Sequence, residues 1–262
     1  MNFYIPTYND CINIVNNNPD MYFYERKYIV DNYDASIFGY RHAKYNNFIL
    51  PIIDKPYINA LELKGITYIF NDDGTIFNHN LLLHKFWEID QYKHSSYELF
   101  KDKKIKNITT KEDGFLISFT KLPNNQILSF AKSGFGDEIN NRTNKFLYNN
   151  KYYNFIKNCL DNNIQPIFEF TGINRIVEYQ NDDLILLKLR NNIDGRYLNI
   201  QDFNTDGIKI VKEHYKTLDE LLRISKDLEN IEGWVVHFED DNMLKVKTKW
   251  WKNKKDENKK IL

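Results

Sequence analysis

Lys111-Glu112-Asp113-Gly114-Phe115-Leu116-Ile117-Ser118-Phe119-Thr120, then Leu122-Pro123-Asn124-Asn125, then Gln126-Ile127-Leu128-Ser129-Phe130-Ala131-Lys132, is the stretch from which the fold can be read. Residues 114–120 and 126–132 have the apolar, β-prone character of two short strands, and the Pro-Asn-Asn between them is turn chemistry, so a hairpin is expected. The same grammar recurs to either side. Residues 60–70 read as a strand followed by the Asn-Asp-Asp-Gly turn at 71–74 and a second short strand. Residues 165–170, 184–190, 233–238 and 243–249 read as further strands, the last two joined by the acidic turn at 239–242. Helices are expected at 8–17, at about 143–162, where Phe146, Tyr152, Phe155, Ile156, Cys159 and Leu160 recur at helical spacing, and at 217–230. Thr217 followed by Glu220 is a capping-box signature. Hairpins mixed with a few helices predict an α+β fold of antiparallel sheets, not a regular βαβ alternation.

The chain has 262 residues, enough for one large domain, with 36 Lys+Arg against 36 Asp+Glu. A formal charge of zero argues against indiscriminate coating of nucleic acid and permits a local basic site. Such a site has raw material: residues 245–262 carry eight Lys against Asp256 and Glu257, and residues 101–111 carry five Lys against Asp102. Two cysteines, Cys11 and Cys159, exclude a disulfide framework. The N-terminus lacks the order of a secretory signal and no apolar run reaches membrane length, so the reading is a cytoplasmic protein without a membrane partner. Abundant Asn, Lys, Ile and Tyr reflect AT-rich codons and carry no functional weight. No internal repeat or Pro/Gly/Ser linker appears, which predicts a domain over 1–251, its N-terminal part about 1–100, and a partly disordered basic tail at 252–262. Neither G-x-G-x-x-G nor a Walker loop is present.

Four short elements carry chemistry. Lys111 stands just before a strand, with Glu112, Asp113 and Gly114 after it. A lysine is a nucleophile only when its amine is neutral, which desolvation or neighbouring cations favour, and Gly114 lets a ligand approach the backbone. Alone, the tetrapeptide fits a solvated turn. In Phe168-Glu169-Phe170 the two Phe share one face of a strand and Glu169 the other. Glu232 precedes Gly233 at the entry to an apolar strand, and Lys245 and Lys247 project from one face of the next. Like charges so placed repel unless an anion or carboxylate lies between them, and a triphosphate suits that place. Each also has a bland reading: an exposed strand Glu, a loop carboxylate, a Lys-protected edge.

Taken in order, K-x-D-G, strand Glu, E-G and K-x-K resemble the covalent nucleotidyltransferase superfamily of nucleic-acid ligases and mRNA-capping guanylyltransferases. KEDGFLIS, IFEFTGINRIVEYQ, LILLKLRNN, IEGWVV and LKVKTKWW, with SIFGYRHAKYNNFILP, LELKGITYIF and HKFWE upstream, look like the RNA ligase 1 family of T-even bacteriophages over about residues 30–251. The resemblance implies the nucleotidyltransferase (ATP-grasp-like ligase) fold and an ATP-dependent RNA ligase. It implies Mg²⁺ or Mn²⁺ as cofactor and, as partner, RNA with 5′-phosphate and 3′-hydroxyl ends. It implies that Lys111 attacks the α-phosphate of ATP to give lysyl-AMP, that Glu169 holds the ribose, and that Lys245, Lys247 and Lys132 face the phosphates. Glu232 and Asp113 fall at acidic, metal-side positions, and Tyr40, Lys64, Lys85 and Glu112 at the nucleotide site.

Three departures stand out. Lys64 occupies a position where the family usually has Arg, and lacks the planar fork. Phe115 replaces a small polar residue. The phage enzyme continues into a helical C-terminal domain, whereas this sequence stops at Leu262, which leaves the RNA preference unassigned. DNA ligase or capping guanylyltransferase activity, an adenylyltransferase that does not complete sealing alone, and a binding protein without catalysis are the other readings. Scattered histidines give no zinc spacing. Trp250 and Trp251 suit either stacking on bases or packing. Oligomeric state is open.

Overall fold

Three sheets, rather than a set of separate hairpins, carry the strands that flank Lys111. The computed structural model describes residues 3–17, 22–41, 60–172 and 175–261. Part of the upstream SIFGYRHAKYNNFILP segment, from His42 on, and Ile173-Asn174 lie outside the described residues. The first sheet is β1 (Phe23–Val30), β2 (Tyr33–Tyr40), β3 (Ile66–Phe70) and β4 (Ile76–Asn80), in that order. The second runs β11 (Tyr197–Leu198), β10 (Asp183–Asn191), β9 (Ile164–Thr171), β7 (Phe115–Lys121), β8 (Ile127–Ala131). The third runs β12 (Glu213–His214), β6 (Ile105–Lys111), β13 (Gly233–Phe238), β14 (Met243–Lys247), β5 (Trp87–Glu88). Named strands pair antiparallel throughout except the two-residue β5–β14 contact. The expected α+β architecture is therefore present, and no described helix is long and apolar enough to cross a membrane.

Each sheet buries one face beneath a helix. α4 (Asn150–Asp161) turns Tyr152, Phe155, Ile156 and Cys159 onto Phe119, Phe168 and Leu186 of the second sheet. Burying one such side chain stabilises by about 1.5–3 kcal/mol, so this stripe fixes the register that carries Glu169. α5 (Leu218–Ile224) packs Leu218 and Leu221 on Trp234, Val236 and Phe238 of the third sheet. α1 (Tyr8–Asn16) places Cys11 and Ile14 against Phe38, Ile66 and Tyr68 of the first. Both cysteines are buried and unpaired.

Several boundaries differ from the sequence reading. The helix expected over 143–162 is two: α3 (Glu138–Asn144), a short 3-10 turn, and α4, because Asn149 leaves helical geometry and caps the backbone of Lys151. The strand expected over 60–70 begins with a 3-10 turn at Ala60–Glu62, and Gly65 takes φ +103° before β3 starts. The helix at 217–230 has the Thr217–Glu220 capping box in both directions but ends at Ile224. Lys111 is the last residue of β6, itself a strand, not a loop residue before one. The largest correction concerns the tail. Residues 249–261 form a helix, α6 (Lys249–Ile261), tied to β5 by a Lys252–Glu88 ion pair.

Candidate active site

β6, β13 and β14 lie side by side, and their register decides the site. Lys111 and Lys247 both pair with Gly233, one from each side, while Thr109 and Lys245 both pair with Val235. Gly233 adopts φ +147°, and a Cβ there would lie 2.0 Å from the Val246 carbonyl oxygen. Only glycine lets the chain cross so close, and the crossing sets Glu232 over the ends of both neighbouring strands. Glu232, side chain 4 % exposed, binds Lys111 at 2.8 Å and Lys247 at 2.9 Å. The carboxylate expected between Lys245 and Lys247 thus lies between Lys111 and Lys247. Lys245 instead donates to the Phe86 carbonyl at 3.0 Å, with its amine over the Phe86 ring.

Facing this trio, Glu169 on β9 accepts the Gly114 N–H at 3.0 Å. A Cβ on Gly114 would fall 2.3 Å from the Phe170 carbonyl oxygen and 2.8 Å from Glu169 Cγ. Gly114 is needed for the β7–β9 approach that seats Glu169, and it also lines the cavity. Together these residues line a cavity of about 790 Å³, with Lys64 and Lys132 on its wall and Leu83, Phe86, Leu187, Val235 and Met243 as an apolar portion. Tyr40 and Lys85 are not among the lining groups; they flank it through Lys132, whose amine sits 3.8 Å above the Tyr40 ring, with Lys85 5.0 Å from the same ring.

Crowding of amines shapes the titration of the site. Desolvation, and then the amines of Lys85, Lys132 and Lys111, bring Lys64 down to about 7. Burial with Lys132 and Lys247 brings Lys85 to about 8. Burial and the surrounding lysines hold Lys245 well below the ordinary lysine range, and burial also lowers Lys132 and Lys247. Burial lifts Glu169 to about 7. Lys111 goes the other way. Desolvation opposes its charge, but Glu232 and Glu169 prevail and raise it above the usual value. Neighbouring cations therefore do not by themselves leave Lys111 neutral; its carboxylate partner keeps it protonated. The cluster holds excess buried positive charge, which a bound polyanion would neutralise.

The other expected carboxylates also line the cavity, but each is held by hydrogen bonds to the 176–179 segment. Asp113 Oδ2 accepts backbone N–H groups of Ile176 and Val177 at 2.9 and 3.0 Å. Glu112 Oε2 accepts the Tyr179 hydroxyl at 3.0 Å, and burial raises its pKa. Among the described residues no three His, Cys, Asp or Glu side chains group to hold a metal.

The structure adds Arg175, Lys188, Lys255 and Asn258, which the sequence did not single out, and settles Trp251 as packed. Arg175 lines the cavity and lies 3.7 Å over the Phe115 ring, so the departure at 115 supplies a stacking platform where a hydroxyl is usual. Lys188, 6 % exposed and brought to about 8 by burial, donates to Asn107 at the inner wall. Its only sequence signal is a Lys in an otherwise apolar strand. Trp251, Lys255 and Asn258 of α6 also line the cavity, and Trp251 is packed, with the Lys247 amine 3.9 Å from its ring.

A family model described as RNA ligase, of the phage T4 RNA ligase 1 type, matches residues 71–259, more than half of the chain and including most of α6. The chain belongs to this RNA ligase family. A provisionally named RNA ligase of Thermovibrio ammonificans is 24% identical over 201 residues, which cover 72% of this chain and 52% of the relative. The chain thus spans about half the length of that curated relative. An archaeal ATP-dependent RNA ligase superposes with a TM-score of 0.58 at 12% identity, over 87% of this chain and 59% of the other, and shares the fold. A Naegleria gruberi RNA ligase solved with ATP and Mn gives a TM-score of 0.47 at 18% identity, over 61% of this chain and 53% of the other.

Proposed function

We propose that this RNA ligase family member is an ATP-dependent enzyme that adenylylates Lys111, passes AMP to an RNA 5′-phosphate and seals that end to a 3′-hydroxyl. The carrying observation is the Lys111–Glu232–Lys247 arrangement, facing Glu169 in a cavity walled by further lysines. In the first step the Lys111 amine attacks the α-phosphorus. A P–N bond forms, the bond to the α–β bridging oxygen breaks, pyrophosphate leaves with the electron pair, and a proton leaves the amine. Such a displacement needs neutralised phosphates and in-line positioning more than strong acid–base catalysis. Lys64, Lys132, Lys245 and Lys247 neutralise; Glu169 is the acceptor for ribose hydroxyls; the apolar portion receives the base.

The residues present fit a divalent ion of the Mg²⁺ or Mn²⁺ type held by one carboxylate together with substrate phosphates and water, rather than in an all-protein cage. Glu232 is that carboxylate. When bound, such an ion supplies positive charge at the phosphates. A Glu232 engaged by such an ion would hold Lys111 less tightly, and the surrounding amines would then favour the neutral nucleophile. Asp113 has its hydrogen-bonding role with the 176–177 backbone, so we assign it to positioning rather than to the metal.

Labelled nucleotides test the reading. With α-labelled ATP and Mg²⁺ the protein should carry covalent label, and Lys111→Ala should carry none. Continued labelling of that variant would remove Lys111 as nucleophile. Labelling by GTP in place of ATP would favour a capping-type transferase, sealing of nicked DNA but not RNA a DNA ligase, and no label with any nucleotide a binding protein. Joining of pre-adenylylated RNA separates a complete ligase from an adenylyltransferase.

A further inference from the structure

Along β14 and into α6 the chemistry changes in a fixed order. Met243 belongs to the apolar portion of the cavity; Lys245 and Lys247 follow on the same strand; Trp251 and Lys255 come next on the helix. At about 3.3 Å per strand residue, Met243 and Lys247 are roughly 13 Å apart. An apolar position followed by amines is the order that suits the base and then the phosphates of an extended nucleoside triphosphate. Lys247 and Lys255 lie on one aromatic ring, at 3.9 and 4.7 Å from the Trp251 centroid. Trp251, Lys255 and Asn258 fall at helical spacing i, i+4, i+7 and so share one face of α6, the face that lines the cavity. The ion pair of Lys252 with Glu88 fixes the helix in this orientation.

We propose that Lys255 of α6 binds the terminal phosphates of the nucleoside triphosphate and stabilises the pyrophosphate as it leaves the α-phosphorus under attack by Lys111. This rests on the ligase reading of the same cavity. Trp251 holds the Lys255 ammonium by cation–π attraction, so the charge is placed before the substrate arrives. Negative charge grows on the departing β-phosphate in the transition state, and a placed cation there contributes more to the step than to ground-state binding. The contact belongs to the chemistry that makes or breaks pyrophosphate. Joining a pre-adenylylated RNA involves no outer phosphates and does not use it.

Single-turnover formation of lysyl-AMP, its discharge by pyrophosphate, and joining of pre-adenylylated RNA are measured for the wild type, Lys255→Ala, Lys255→Arg and Lys254→Ala. Lys254 is an exposed neighbour on the helix paired with Glu257. Loss of one charge-assisted contact is expected to slow formation and discharge by roughly ten- to a hundredfold in Lys255→Ala. Joining should fall far less, Lys255→Arg should recover most of both rates, and Lys254→Ala should match the wild type. Equal losses in all three reactions would assign Lys255 to the RNA strand and overturn the proposal, as would wild-type rates in Lys255→Ala. Binding of inorganic tripolyphosphate, which needs no chemistry, is measured in parallel and should also weaken in Lys255→Ala, by a smaller factor than the rates. If the wild type forms no lysyl-AMP but this binding difference is present, the ligase reading fails and the phosphate site stands; if labelling is normal and binding is unchanged, the reverse holds.

Discussion

The amine of Lys111 donates to Glu232 Oε2 at 2.8 Å, in a site where Glu232 is almost fully buried. The proposed nucleophile is therefore stored as an ammonium ion, which has no lone pair to attack phosphorus. Desolvation pulls its pKa down, yet Glu232 and Glu169 raise it. Glu232→Gln keeps the shape and removes the charge. Lys111 is expected to deprotonate at lower pH in that variant, read from the pH dependence of its modification by an amine-reactive label located by mass spectrometry. Lysyl-AMP formation with ATP and Mg²⁺ should nevertheless fall by at least about tenfold, because the variant loses the carboxylate assigned to the ion and a charge-assisted hydrogen-bond acceptor. An unchanged Lys111 titration would show that Glu232 does not control the nucleophile.

Lys64 carries the opposite shift. Its folded pKa of about 7 lies below the ordinary 10.5, chiefly through burial. Between those values the unfolded chain binds a proton that the folded protein does not, so this group's contribution to stability rises with pH across that window and is unfavourable below it. Lys64→Met removes the contribution. The variant should exceed the wild type in unfolding free energy at pH 7 on the order of a few kcal/mol, since one pKa unit corresponds to about 1.4 kcal/mol, and lose that advantage as pH rises towards 10.5. Urea unfolding of both proteins at pH 7 and near pH 10 measures it. A difference that does not shrink with pH would contradict the assigned charge state. ATP affinity should fall in the same variant, because the buried cation that destabilises the empty protein is compensated by phosphate.

Lys64 is placed by an ion pair two residues away. Glu62 meets Arg190 of β10 with both side chains buried, Oε2 accepting from one guanidinium nitrogen at 2.8 Å and Oε1 from the other at 2.6 Å. Arg190 also donates to the carbonyls of Leu82 and Gly195. Removing one partner of such a pair leaves a buried charge and costs about 3–5 kcal/mol. Glu62→Ala should lower stability by that amount in chemical denaturation and weaken nucleotide binding through Lys64. Loss of under about 1 kcal/mol would mean the guanidinium is satisfied by its carbonyl partners alone.

Lys111, Glu169, Glu232, Lys245 and Lys247 were legible because their residue types recur in a fixed order on strands whose apolar neighbours declare themselves. The register then did the rest: Gly233 pairs with both Lys111 and Lys247, which no spacing in the chain reveals. β1 and β6 were hidden because their sequences, FYERKYIV and IKNITTK, are rich in charge and polar groups; β1 is an edge strand with exposed positions, and β6 gains its place between β12 and β13. α6 was read as a tail because KWWKNKKDENKKI has almost no apolar stripe. Its docking depends on one tryptophan and a lysine–glutamate pair, and neither leaves a periodic signal. Arg175, Lys188 and Lys255 enter the site only through contacts made across the fold.

Asp113 marks where a motif acid and its geometry part. Its Oδ2 accepts from Ile176 and Val177, and its own N–H donates to the Tyr179 hydroxyl at 2.9 Å. The side chain therefore fastens the segment that carries Arg175 against the Lys111 turn. Asp113→Ala leaves two backbone N–H groups without this acceptor and should destabilise the protein by about 1–3 kcal/mol. Asp113→Asn keeps an oxygen acceptor and should be milder. For a positioning residue, Asp113→Ala should raise the ATP concentration needed for half-maximal lysyl-AMP formation while leaving the Mg²⁺ or Mn²⁺ concentration dependence at saturating ATP unchanged. Glu232→Gln should shift the metal dependence. If Asp113→Ala shifts the metal midpoint as Glu232→Gln does, the aspartate leaves its backbone partners during the reaction and joins the ion.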